Sequence, residues 1–361
     1  MWACDACMRR TWLLGRISGC LQFQRRRVEE ILGLDDQVLI HLWQKRVHDR
    51  LAVEYEEFSA CHAEAARARA EAARLELICA CDTSYPWSLR RLSRPPAVLH
   101  VAGGLGRFLE LAGADPVAIV GTRQPTSYGT QVAEALGRGI SVCGLSVVSG
   151  MALGVDGAAH RGALAGSGRT VAVLPGCASE PTPRQHRQLH GQILRHGVAV
   201  SEFGPGTSLR KWTFVARNRV IAALSRMTIV VQGRQGSGAL LTADFAKRYG
   251  GTVGAVPGQV GAPQSAGPHL LLRDGAVMIQ GPQDVLDAVF GAGVRAVAEA
   301  ERAALAPQQR ALLDAIVSGA DTIAALTRAG VAAGELLQAL AELEMAGCVR
   351  REAGGKYVAL G

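Results

Sequence analysis

Between residue 117 and about residue 290, short apolar runs alternate with helix-like stretches, and this alternation leaves few folds open. The runs are 117–120, 145–148, 170–174, 198–201, 227–231 and 252–256, with a shorter one at 276–279. Each is mostly apolar without strict alternation, the pattern of a strand buried on both faces. Strands of that kind separated by helices specify a parallel, doubly wound α/β sheet. Such sheets bind ligands beyond the carboxyl ends of their strands. The glycine-bearing polar stretches fall at those ends: 121–123, 149–150, 175–176, 201–204, 233–238 and 257–258. They therefore converge on one edge.

Two of these loops share a design. After the strand 117–120 come Gly121, Thr122, Arg123, Pro125, Thr126, Ser127 and Gly129, then a helical run over 131–142. Free backbone N–H groups and the positive end of a helix dipole then point at one spot, a phosphate cradle. Arg123 adds a planar fork suited to a phosphate. The loop is neither GxGxxG nor a Walker loop, so it indicates neither a nicotinamide fingerprint nor a P-loop NTPase. Gly236-Ser237-Gly238, followed by Ala239, Leu240, Leu241 and Thr242, repeats the arrangement. With Arg123, Arg217 and Arg219 available, two cradles suit two neighbouring phosphates better than one nucleotide. Arg217 and Arg219 flank Asn218 near an expected helix start. Asp156 and His160 sit at i and i+4 on one helix face. They read as a metal pair, as an acid–base pair, or as a capping Asp that orients a His. The last is the simplest, because no third ligand or nucleophile lies nearby in sequence.

The flanks differ. Residues 1–75 repeat apolar positions at helical spacing and include an Ala-, Glu- and Arg-rich helix expected over 54–77. The clusters Arg9-Arg10 and Arg25-Arg26-Arg27 read as a solvated helix face before they read as a DNA contact. Two short strands follow, around residue 78 and over 97–102, joined over prolines. A linker spans 291–307. Helices over 309–317, 322–329 and 332–345, then a turn at Gly354-Gly355 between two short strands, describe a winged helix. Its third helix carries Glu335, Glu342 and Glu344 and no Lys or Arg, so phosphates repel it and a protein-contact role is favoured. Arg350, Arg351 and Lys356 on the wing point the other way.

A net charge of +8 favours a polyanionic partner. With aromatic residues at 5%, base stacking is a poor main source of affinity. Nine scattered cysteines, no secretory signal at the N-terminus and no long apolar stretch imply a reducing, cytoplasmic setting and no membrane. Cys4-x-x-Cys7 reads first as unligated thiols near a terminus, with no metal. The alternative is half of a tetrahedral zinc site, completed by Cys79 and Cys81 or by one of these with Cys61 or His62.

As a set, GTR-x-x-T-x-YG, SGMALGVD-x-x-AH-x-x-AL, T-x-AVLP-G, SE-x-x-PG, F-x-x-RNR-x-IA-x-LS, GSGALLTA and VPG resemble the DNA-processing protein A family (DprA, also called Smf) over roughly 77–290. The resemblance implies an extended Rossmann-like, mostly parallel sheet (77–290), a SAM-like helical N-terminal domain (1–75) and a C-terminal winged helix (305–361). It implies a protein without catalytic activity or cofactor that binds single-stranded DNA, forms homodimers, protects incoming DNA and loads a RecA-type recombinase in natural transformation. Gly121, Thr122 and Arg123 would hold a DNA phosphate. Ser149, Gly150, Asn218, Arg219, Ser237, Gly238 and Thr242 would line the same pocket, and Arg184 would match a further basic position. Dimer contacts would fall near 270–279. Three departures touch the pocket. Gln232-Gly233 stands where the family has Glu-Ala, and Gly236 where it has a cation that Arg234 would replace. Thr182 stands where the family has Tyr.

Two other readings are open. An enzyme acting on a nucleotide or phosphorylated nucleoside would use Asp156, His160 and Glu202. A transcriptional regulator would act through the winged helix, against the charge of its third helix.

Overall fold

The computed structural model describes residues 3–21, 28–47, 50–294, 305–328, 333–345, 348–352 and 355–359. Arg25-Arg26-Arg27, residues 295–304 of the expected linker and Gly354 lie outside the described residues. The chain divides into two compact units, 1–295 and 296–361.

The first unit is built on a nine-stranded sheet. Its strands are β1 (Glu76–Cys79), β2 (Val98–Ala102), β3 (Val117–Val120), β4 (Val147–Ser149), β5 (Thr170–Val173), β6 (Val198–Ser201), β7 (Met227–Val230), β8 (Thr252–Ala255) and β9 (Val277–Met278). The spatial order is β1-β2-β6-β5-β4-β3-β7-β8-β9. From β6 to β9 every pairing is parallel, and β1 and β2 add an antiparallel edge. The continuous Val/Ile/Ala runs produce this directly, since β3 to β7 are buried along their whole length.

The helices of the front are α1 (Asp5–Leu21), α2 (Val28–Leu32), α3 (Asp36–Val47), α4 (Leu51–Glu56) and α5 (Ala60–Ala72). The single helix expected over 54–77 is two helices and a strand. The chain breaks at 57–59, where Ser59 takes an extended N-cap conformation, and β1 claims Glu76 onward by pairing with β2. Between and beyond the strands lie α6 (Trp87–Arg90), α7 (Leu105–Gly113), α8 (Ser127–Val142), α9 (Val155–Ala165), α10 (Arg187–His196), α11 (Lys211–Leu224), α12 (Gly238–Arg248), α13 (Ala266–Arg273) and α14 (Pro282–Phe290). Leu13, Ile17, Leu39 and Trp43 of the front share one apolar cluster with Phe203, Trp212 and Ala216. Trp212 Nε1 also donates to the Ser18 carbonyl at 3.0 Å.

Strand order reverses at β3. From there β4, β5 and β6 continue on one side, while β7 and β8 lie on the other. The loops after β3 and β7 must therefore part and leave a crevice, the usual ligand position in such sheets.

The second unit contains α15 (Pro307–Val317), α16 (Ile323–Arg328), α17 (Ala333–Met345) and the antiparallel pair β10 (Val349–Arg351) and β11 (Tyr357–Ala359). This is the expected winged helix. Two of its wing cations are paired: Arg350 with Glu352 at 2.8 Å and Lys356 with Asp321 at 2.9 Å. No helix among the described residues is long and apolar enough to cross a membrane.

Two imidazoles are locked inside the first unit. Burial drives His100 down to about 4. Burial first, and then the neighbouring His186 and Arg217, drives His160 down to about 3. Both pKa values lie below the unfolded value near 6.5, so the unfolded chain binds more protons as pH falls. The stability of their neutral forms is complete above about pH 6.5 and is lost between there and pH 4 to 3. Urea unfolding at pH 8 and pH 5 should therefore show a loss of about 2 kcal/mol per imidazole. Equal stability at the two pH values would mean that both rings reach water.

Candidate nucleic-acid interface

The crevice between β3 and β7 opens into a cleft of about 310 Å³. Its floor and walls come from Gly121, Thr122 and Arg123 after β3, Ala152 and Asp156 around the start of α9, and Ser237, Gly238 and Thr242 at the start of α12. One face of α11 closes it, with Phe214, Arg217, Asn218 and Ile221. Those four positions are spaced i, i+3, i+4 and i+7, one stripe of a helix.

The β3 loop is pegged from below by Gln232. The Gln232 carbonyl accepts the Thr122 N–H at 2.7 Å. Its side-chain Oε1 accepts the Thr126 N–H at 3.0 Å, and its Nε2 donates to Thr126 Oγ1 at 2.9 Å. Thr126 is the N-cap of α8 and also accepts from the Gly129 N–H at 3.3 Å. The peg needs Gly129, because a Cβ there would lie 2.2 Å from Gln232 Oε1. Gln232 thus keeps the hydrogen-bonding part open to a Glu while adding an N–H donor. The capped helix begins at Ser127, four residues earlier than the expected 131.

Arg123 is exposed at the rim, its guanidinium 5.6 Å from the centre of the Phe214 ring. It has no hydrogen bond or ion pair among the described residues. On the opposite wall, the Ser237 hydroxyl is buried without a partner among the described residues, beside the free N–H groups that open α12. Asn218 Nδ2 donates to the Gly238 carbonyl at 3.3 Å, and Thr242 Oγ1 donates to the same carbonyl at 3.3 Å. These bonds fix the wall that faces Arg123.

A second arginine, on the α11 face of the cleft, has a different task. Arg217 is buried and donates through Nη1 to the carbonyls of Gly150 and Val173, the latter at 3.0 Å, and through Nε to Asn218 Oδ1 at 3.0 Å. It gathers the ends of β4 and β5. A Cβ at Gly150 would lie 1.7 Å from Arg217 Nη1, so a side chain there would push the guanidinium off these carbonyls. Asp156 accepts the N–H groups of Gly150 at 3.1 Å and Ala152 at 3.4 Å. Burial pushes its carboxyl up, and the adjacent Arg217 with the backbone donors pulls it partly back. Burial likewise lowers Arg217, and Asp156 opposes that shift.

Of the expected site residues, the structure brings Gly121, Thr122, Arg123, Asn218, Ser237, Gly238 and Thr242 together on the cleft. Ser149 and Gly150 stand behind it. The Ser149 hydroxyl donates to the Ile119 carbonyl at 2.6 Å, inside the sheet. Two arginines are placed elsewhere. Arg219, 2% exposed, forms a two-pronged pair with Glu202 at 2.6 and 2.7 Å and donates to the Arg94 carbonyl at 3.1 Å. The reason is helical geometry. Residues 217–219 lie mid-helix, not near a start, and two positions apart on an α-helix face opposite sides. Arg184 is exposed on a single-turn 3-10 helix outside the cleft. Its neighbour His186 takes the inward place, 2.9 Å from the Met151 carbonyl and against Gly157. Arg234 is exposed and does not line the cleft, so it does not replace the missing cation there.

The three acid–base candidates are not assembled either. Thr170 Oγ1 donates to the Val147 carbonyl at 3.0 Å and so accepts from His160 Nδ1 at 2.7 Å, turning the ring away into the sheet. Glu202 is engaged by Arg219. Asp156 alone of the three lines the cleft. Phe214 and Ala152 were missed by sequence reasoning. The i, i+3, i+4 stripe through Phe214 carried the signal. By contrast, Cys4, Cys7, Cys79 and Cys81 are brought together, and Cys61 is exposed elsewhere.

A family model described as DNA recombination-mediator protein A matches residues 76–290, and one described as the DprA winged helix domain matches 296–355. The DNA processing protein DprA of Bacillus subtilis is 39% identical over 203 residues, covering 56% of this chain and 67% of that protein. The X-ray structure of DNA processing protein A from Streptococcus pneumoniae is similar with a TM-score of 0.62 at 27% identity, covering 80% of this chain and 99% of that one. DNA processing protein A of Helicobacter pylori, solved for its single-stranded DNA binding mode, is similar with a TM-score of 0.53 at 29% identity, covering 60% and 96%.

The separation of Arg123 from Arg219 has a measurable consequence. Glu202→Ala leaves a guanidinium buried without its partner and should cost about 3–5 kcal/mol in urea unfolding at neutral pH. Arg123→Ala should cost less than about 0.5 kcal/mol, as an exposed substitution. A Glu202→Ala loss as small as that of Arg123→Ala would contradict the buried pair.

Proposed function

The chain belongs to the DNA recombination-mediator protein A family, and from that premise we propose that it binds single-stranded DNA through the β3/β7 cleft. The observation that carries the proposal is that Arg123, which has no hydrogen bond or ion pair among the described residues, lies across one cleft from the Ser237 hydroxyl, which has no partner among them, and from the N–H groups of α12. Both walls offer donors, and an anion is what donors on two walls accept. Gly121, Thr122, Arg123, Ser237, Gly238 and Thr242 would contact phosphate oxygens, with Asn218 positioning Gly238. Phe214, half-buried beneath Arg123, offers a base one stacking face. Ser149, Gly150 and Arg217 would act by holding the wall.

The role we infer is that of a mediator without chemistry of its own, protecting incoming single strands and passing them to a RecA-type recombinase in the cytoplasm. Homodimerisation belongs to the same proposal. The segment 270–279 includes β9, the edge strand of the sheet, and exposes Val277 at 36% and Met278 at 51%. An apolar edge strand needs a cover, and a second copy supplies one.

Fluorescence anisotropy with labelled oligo-dT, at salt from 0.05 to 0.3 M, tests the site. Arg123→Ala should weaken binding about ten-fold or more and flatten the slope of log affinity against log salt by about 0.7. Arg226→Ala removes the same charge from an exposed position before β7, on the opposite edge of the sheet, where the side chain pairs with Asp115 at 2.6 Å. It should leave both quantities nearly unchanged. Equal effects of the two substitutions would mean that net charge, and not the cleft, binds DNA.

A further inference from the structure

Four cysteines from two distant parts of the chain meet at the edge of the sheet. Cys4 lies just before α1 and Cys7 in its first turn. Cys79 ends β1, and Cys81 lies in the turn that follows. Their sulfur atoms all lie within 4.8 Å of one another, and Cys7 Sγ and Cys81 Sγ are 3.7 Å apart. That spacing is far longer than a disulfide bond of about 2.05 Å. It matches the edge of a tetrahedron around an ion with four thiolates at about 2.3 Å, which is about 3.8 Å.

We propose that these four cysteines bind one structural zinc ion, which fastens the N-terminal helix α1 to β1. Four soft sulfur donors in a tetrahedron select zinc or iron and reject magnesium and calcium. An iron–sulfur cubane is excluded by size: its thiolates bind separate irons and stand farther apart than donors sharing one ion. All four positions are filled by protein, so the site is closed and structural, without an open position for a substrate.

The surroundings fit such an ion. Each thiol releases its proton on ligation, and the zinc–tetrathiolate centre is a dianion. A cation is bound to the backbone of each arm. Arg67 donates to the Ala3 carbonyl, next to Cys4, at 2.6 and 3.0 Å, and also pairs with Asp5. Arg90 donates to the Ala80 carbonyl, between Cys79 and Cys81, at 2.9 Å. Cys7 and Cys79 are buried, while Cys81 is exposed and gives the ion a way in. The arms are also positioned without metal. Ala3, Cys7 and Met8 pack in one apolar cluster with Phe58, Leu77 and Cys79. The ion would then lock a contact that the apolar surface has already aligned.

Elemental analysis of the full-length chain, expressed with zinc in the medium, tests this. The wild type should carry about one zinc per chain after exhaustive dialysis. Cys81→Ser, at an exposed position, should fall below about 0.2 after dialysis against EDTA, while Cys61→Ser should keep its full content. Circular dichroism confirms that Cys81→Ser is folded. Stripping the wild type with a thiol-reactive mercurial and EDTA, then restoring the thiols, should lower Tm by about 5 °C or more, and added zinc should restore it. A wild type without zinc, iron in its place, full zinc in Cys81→Ser, or an intact mass lacking thiol hydrogens would each overturn the assignment.

Discussion

The side chain of Gln232 is the interaction on which the candidate site rests. Parallel strands β3 and β7 bring their carboxyl ends together, but the loops beyond them have no ladder to hold them. Gln232 supplies the missing bonds, with its backbone on Thr122 and both ends of its amide on Thr126. Because Thr126 also caps α8, one residue of the β7 loop sets the β3 loop and the helix after it. A buried amide satisfied at both ends is costly to displace. The loop that offers Arg123 to a ligand is therefore tied down on both sides of that residue, at Thr122 and at Thr126.

Three arginines illustrate how position decides function for one residue type. Arg123 is exposed, rests near the Phe214 ring and has no hydrogen bond or ion pair among the described residues. Arg217 is buried, and spends its donors on backbone carbonyls and Asn218. Arg219 is buried against a carboxylate. On α11, Arg217 and Arg219 project to opposite sides, so that helix ties the ends of β4 and β5 on one face and the end of β6 on the other. The helix thereby fixes the spacing of three strand ends. It also presents Phe214 and Asn218 to the cleft at the right height. Asp156 belongs to the same frame: its carboxylate stands beside Arg217 and takes N–H donors from the β4 loop.

Most of the sheet was legible in the sequence, because continuous apolar runs have few alternatives once helices separate them. The limits of β3 and β6 match the runs residue for residue. β4 starts two residues late because Leu145 and Ser146 serve the turn, where the Ser146 N–H donates to the Ala114 carbonyl. The first half of the cradle was legible for the same reason. What failed was the assignment of side chains within a motif. The resemblance puts both Asn218 and Arg219 in the pocket, although helix geometry turns Arg219 away from the face that carries Phe214, Arg217 and Asn218. That error was correctable from the sequence alone once 211–224 was read as one helix. The pairing of Glu202 with Arg219 was not, since it joins residues from a strand end and a helix. The cysteines show the same boundary. Cys4 and Cys7 are suggestive by spacing, yet their meeting with Cys79 and Cys81 depends on where α1 packs.

The charge in the cleft wall argues for phosphate as the group recognised. Arg217 and Asp156 are both buried and adjacent, so their fields largely cancel outside the wall. The remaining positive potential comes from Arg123 and from the first N–H groups of α12. Those sources are directional but blind to base identity, because every phosphate looks alike. Specific base reading would require side chains with paired donors and acceptors at the floor of the cleft. Of the lining residues, Asn218 has that chemistry, and its amide is already engaged by Arg217 and Gly238. A strand held in this cleft would thus be gripped mainly by its backbone and leave the bases that do not stack on Phe214 accessible. That is the geometry needed if a second protein is to test the bases for a matching partner while the strand is still bound.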